Sequence, residues 1–136
     1  MNEGQRRIIE RTLSLLDEVL CEFEEWAKGR EIHSVLYREQ NTLSVTQRKE
    51  LSSKTDMMKE ILIKLRNTLN LDDRVRIAAT AIRSHCSALW VDLTELKSNN
   101  LHRYGEIPPG LAEYLDLQLV QLIDHLNQIR ALIVTK

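Results

Sequence analysis

Four histidines, two cysteines and twenty carboxylates are the residues of this chain whose types can carry chemistry. A helical bundle becomes a di-metal enzyme by setting carboxylates and Glu-x-x-His pairs on facing helices. Arg30, Ile82, Asn99 and Leu122 stand three residues before His33, His85, His102 and His125, so no such pair exists. The positions that periodicity turns inward are almost wholly apolar, which suits a dry core and not a metal site. Cys21 and Cys86 are too far apart in sequence for zinc spacing and too few for a disulfide framework; both read as free thiols acting as small hydrophobes. There is no glycine-rich phosphate loop and no Gly-x-Ser-x-Gly elbow. The residues therefore predict no enzyme, no metal and no cofactor.

Two places retain candidate binding chemistry. His85 follows the small residues Ala78 and Ala81, has Ala88 beside it and carries Asp92 two turns on. Helical bundles that relay phosphate place a histidine on such a face, so a phosphotransfer role for His85 is one alternative. Those bundles usually follow the histidine with a lysine and a glycine that admit the receiver partner. Here Cys86, Ser87, Ala88 and Leu89 follow, which favours a boundary histidine with a wet tip. The second place is the segment from His102 to Pro109. Arg103, Tyr104 and Glu106 bring a cation, an aromatic ring and a carboxylate onto a backbone stiffened by Pro108 and Pro109. Loops of this composition are common recognition sites; the simpler role is a helix-ending tether with Tyr104 and Ile107 against the core.

Charge names no partner. Nineteen basic against twenty acidic residues leave a formal charge of -1, and six aromatic residues offer few stacking platforms, so nucleic acid is not expected. No uncharged stretch approaches membrane-span length, and Met1 to Arg11 lacks a signal-peptide core. The expectation is a cytoplasmic protein that engages no membrane.

The elements that must position these residues are helical. Apolar residues recur in steps of four and three along Ile9, Leu13, Leu16, Leu20, Phe23 and Ala27, then Leu51, Thr55, Met58, Leu62, Leu65 and Leu69. The third stripe is Val75, Ala79, Ile82, Cys86, Leu89, Leu93 and Leu96, and the fourth Leu111, Leu115, Leu119, Leu122, Leu126, Ile129 and Ile133. Ser44 and Gln47 match a capping box, Asn70 to Asp73 supply turn and capping chemistry, and Pro109 suits a first helical turn. The prediction is one all-α domain over residues 1–136, an antiparallel up-down-up-down four-helix bundle with helices near 3–28, 45–69, 73–98 and 109–134. After Gly29 the apolar phase slips, which predicts a kink, with 30–40 a continuation or a short extra helix. Asp116 offers a cap for a helix restart. The acidic run Asp17, Glu18, Glu22, Glu24 and Glu25 is positioned to complement basic residues of the second helix.

Two helices carry more apolar residues than one seam uses: Ile8, Leu15, Val19 and Trp26 on the first, and Leu117, Val120 and Ile123 on the fourth. Such girth implies burial against another chain. The expected function is thus a small protein-interaction module of adaptor, chaperone-like or regulatory type. It acts as a homodimer or on a partner protein through Leu15, Val19, Trp26, Leu117, Val120 and Ile123. The alternative from another class is a sensor that binds a small apolar molecule between helices near Trp26, Met58 and Trp90.

Overall fold

The structure is a computed structural model that describes residues 1–134. Among the described residues every extended regular element is helical: α1 (Glu3–Ala27), α2 (Val45–Leu69), α3 (Ala78–Glu95), the single turn α4 (Ser98–Leu101), a 3-10 turn (His102–Tyr104) and α5 (Leu111–Val134). The chain divides into two compact units, Met1–Val75 and Arg76–Lys136. The first pairs α1 with α2 and the second pairs α3 with α5.

The first unit is an antiparallel helical hairpin. At one end Arg6 donates to the Asn70 carbonyl at 2.6 Å, and Glu10 accepts the Asp72 amide at 2.6 Å. Both helices open with reciprocal capping boxes. Gln5 N–H donates to the Asn2 side chain at 2.7 Å and Asn2 N–H to Gln5 Oε1 at 2.9 Å; Ser44 and Gln47 repeat the exchange at 3.1 and 2.8 Å. Each box satisfies amides that the first helical turn leaves without intrahelical acceptors. Leu20 and Thr55 are fully buried at the seam, flanked by half-buried Leu13, Leu16, Phe23, Leu51, Leu62 and Leu65. The four-three spacing of both stripes therefore identifies the packed faces.

Residues 30–40 form no helix, contrary to the continuation or short helix expected there. Gly29 adopts φ +81°, its amide donates to the Trp26 carbonyl at 3.0 Å, and the Arg30 amide donates to Glu25 O at 3.1 Å. This is the Schellman stop, in which a left-handed glycine turns the last carbonyls back on the following amides. The phase slip after Gly29 marks a helix end and not a kink. Asn70 ends α2 in the same left-handed region, at φ +53°.

Helix three begins at Ala78, five residues later than the expected start near 73. Asp72 and Asp73 do not cap it: its N-cap is Ile77, without a side-chain hydrogen bond. The intervening segment is held by α1 instead, through Asp72 to Glu10 and through Arg74 to Glu18 at 2.7 Å. The acidic run of α1 meets α2 directly at Lys59–Glu24, 2.7 Å, whereas Glu25 pairs with Lys28 and Arg30 beyond its own helix.

In the second unit, Cys86 of α3 and Leu119 of α5 are the buried apolar residues among those described. Leu115, Ile123 and Leu126 are half-buried while Leu122 and Ile129 are exposed. The packed face of α5 is thus rotated from the predicted stripe toward Ile123. Pro109 lies just outside the helix, because Gly110 at φ +82° intervenes. Asp116 caps no restart; α5 runs unbroken through it. Its carboxylate accepts the Ser98 amide at 2.9 Å and the Ser98 hydroxyl at 2.6 Å, clamping the start of α4 to α5.

Candidate functional site

The densest polar cluster of the described residues lies in the connection between α1 and α2, whose 30–40 stretch was expected as a continuation of the first helix or a short extra helix. Glu39 Oε1 accepts the Trp26 indole N–H at 3.1 Å and the Ile32 amide at 3.1 Å, while Oε2 accepts the Tyr37 hydroxyl at 3.1 Å. Glu31 accepts the Asn41 amide at 2.6 Å and lies 2.7 Å from His33 Nε2. The Asn41 side-chain amide donates to the carbonyls of Trp26 at 2.8 Å and Arg30 at 3.1 Å. An isolated antiparallel bridge joins His33 to Arg38, with Ser34 N–H donating to Tyr37 O at 2.8 Å and Glu39 N–H to Ile32 O at 2.7 Å. The result is a tight turn tied to the end of α1, with Val35 and Leu36 at its tip, 93% and 100% exposed.

Electrostatics reinforce this scaffold. The Glu39 carboxyl is held below its ordinary range first by the indole hydrogen bond, then by the Ile32 amide and Tyr37. Glu31 is lowered chiefly by the Asn41 amide and then by His33. The Tyr37 phenol is correspondingly raised, mainly by its bond to the Glu39 carboxylate.

The residues expected at an association surface divide between the units. Leu15 and Val19 are exposed on α1; with Ile8 they form a stripe about 100° around the helix from the α2-facing seam. Trp26 is half-buried and engaged by Glu39. On α5, Leu117 and Val120 are 57% and 54% exposed, whereas Ile123 turns toward the packed side and is half-buried.

Of the binding candidates, Arg103 is spoken for: its guanidinium pairs with Glu95 and donates through Nε to the Asn100 carbonyl at 3.2 Å. Tyr104 is 81% exposed and Glu106 is exposed, so Tyr104 is not tucked against the core. His85 is exposed, with Arg76 Nη2 3.2 Å from its Nε2, and Trp90 is exposed five residues on. Trp26 and Met58 belong to the first unit and Trp90 to the second. Among the described residues no group of three or more His, Cys, Asp or Glu side chains is placed to hold a metal ion, and no helix is long and apolar enough to cross a membrane.

The turn at 31–39 escaped the sequence reading because its determinants are contacts between residues thirteen or fifteen positions apart, Trp26 with Glu39 and Trp26 with Asn41. Gly29 was the available signal, since a glycine just past a periodic stripe is a stop. No protein-family model, no curated protein and no solved structure matches the chain.

Proposed function

We propose that the protein is an interaction module whose apolar helix faces associate with a second copy of the chain. The observation that carries this reading is the exposure of Leu117 and Val120 on α5, an apolar helix with solvent on a side where large aliphatic residues stand. Each such residue gains about 1.5–3 kcal/mol from full burial, so a surface that leaves them in water favours association. Leu15 and Val19 on α1 add to the argument, since both are exposed and lie about 100° around the helix from the buried Leu20 seam.

A second copy is the partner chosen because an identical stripe can meet itself across a two-fold axis and close the assembly. Light scattering on the eluting protein tests it. The wild-type chain is expected at about twice its 15.9 kDa mass, and Leu117→Asp with Val120→Asp at the single-chain mass with helical content retained. A wild-type mass of one chain overturns the reading.

A further inference from the structure

Arg7 and Arg11 stand four residues apart on α1, and so do Glu18 and Glu22. Like charges at that spacing repel along a helix and destabilise it. The steps of four, seven and four along this set place all four side chains on one border of the stripe formed by Ile8, Leu15 and Val19. All four are exposed. Among the described residues Arg7, Arg11 and Glu22 make no side-chain hydrogen bond or ion pair, while Glu18 holds Arg74 through Oε2 at 2.7 Å and leaves Oε1 open. The hairpin thus leaves the arginine repulsion uncompensated and offsets the glutamate repulsion only through Arg74.

Reversed onto itself, the same pattern becomes attractive. Arg7 and Arg11 lie as far before the midpoint between Ser14 and Leu15 as Glu22 and Glu18 lie beyond it. An antiparallel copy of α1, related by a two-fold axis through that midpoint, sets Arg7 against Glu22 and Arg11 against Glu18, each twice. Charges that border an apolar seam between paired helices choose partner and direction in this way. A parallel copy in register would bring arginine to arginine and glutamate to glutamate. The reversal also lays Ile8 of one copy toward Val19 of the other, with Leu15 beside the axis. Such cover is needed: among the described residues of the first unit Leu20 and Thr55 alone are buried, a small core for two 25-residue helices.

We infer that α1 pairs antiparallel with α1 of a second copy through Ile8, Leu15 and Val19, with Arg7–Glu22 and Arg11–Glu18 contacts between copies fixing direction and register. This pairing rests on the self-association reading and adds to it the orientation of one face.

Sedimentation equilibrium of the full chain tests it by charge reversal at Arg7 and Glu22, which are exposed and lie off the α2-facing seam. Arg7→Glu and Glu22→Arg should each weaken the dimer about tenfold, because each reversal turns attraction into repulsion at two symmetry-related contacts. Both substitutions in one chain restore opposite charges across the axis, and the dimer constant should return to within about threefold of wild type. The two single variants, mixed, should form heterodimers in preference to either homodimer. Helical content checks that each variant folds. A weakening that the double variant does not repair, or a dimer constant unmoved by all three variants, overturns the pairing and leaves self-association in place. A wild-type chain that sediments as a single copy overturns both.

Discussion

Thr55 is 1% exposed on the α1-facing side of α2, and its hydroxyl has no hydrogen-bond partner in the protein. A buried hydroxyl left unpaired costs about 1–3 kcal/mol, whereas an apolar group of the same shape carries no such penalty. Thr55→Val should therefore stabilise the first hairpin by about 1 kcal/mol, read as a melting rise of about 4–8 °C. An unchanged or lower midpoint would mean that the hydroxyl is satisfied. Gly29 makes the opposite prediction. Its φ of +81° disfavours any side chain, and a Cβ there would collide with Arg48 Nη1. Gly29→Ala should destabilise by at least about 1 kcal/mol in chemical denaturation, since left-handed strain and the displaced guanidinium act together. At this scale the sequence was informative where a residue's role is local. Ser44 and Gln47 cap α2 as their spacing predicts, because a capping box needs only four consecutive residues. Asp116 was misread as a cap for its own helix because its partner, Ser98, lies eighteen residues away.

The elements follow the same division. All four long helices were legible, since apolar residues three and four apart report the packed face directly. Their seams were legible in α1 and α2, where Leu20 and Thr55 sit on the predicted stripes. The α5 stripe was less informative: with Leu117, Val120, Leu122 and Ile123 distributed around it, periodicity alone does not choose a face. The 30–40 stretch was not legible, because polar side chains tie it to α1, and its behaviour should depend on pH. Glu31 and Glu39 have folded values below the ordinary 4.5, so their contribution to holding the turn is complete above that value. It is lost as pH falls through their lowered values. The Trp26 indole N–H resonance should stay in its hydrogen-bonded position through mildly acidic pH and move only below about 4.5. Glu39→Gln should remove that transition; a resonance that titrates near neutrality, or one insensitive to the substitution, would refute the arrangement. The α4 clamp follows the same sign, because Asp116 is lowered chiefly by the Ser98 hydroxyl and then by its amide. Asp116→Asn should speed hydrogen exchange at the Ser98 amide while leaving exchange in the middle of α5 unchanged.

For the molecule as a whole, the proposed self-association rests on the large aliphatic residues that α1 and α5 leave exposed. The chain is built from two helical hairpins, and each carries an apolar stripe beyond the seam that joins its own helices. The account stands on those stripes meeting a second copy. Mixing isotope-labelled with unlabelled chain and recording intermolecular methyl contacts tests this most directly. Contacts between copies from Leu117 and Val120, with further ones from Leu15 and Val19, are the predicted result. If these methyls report only contacts within their own chain, or none at all, the account is contradicted.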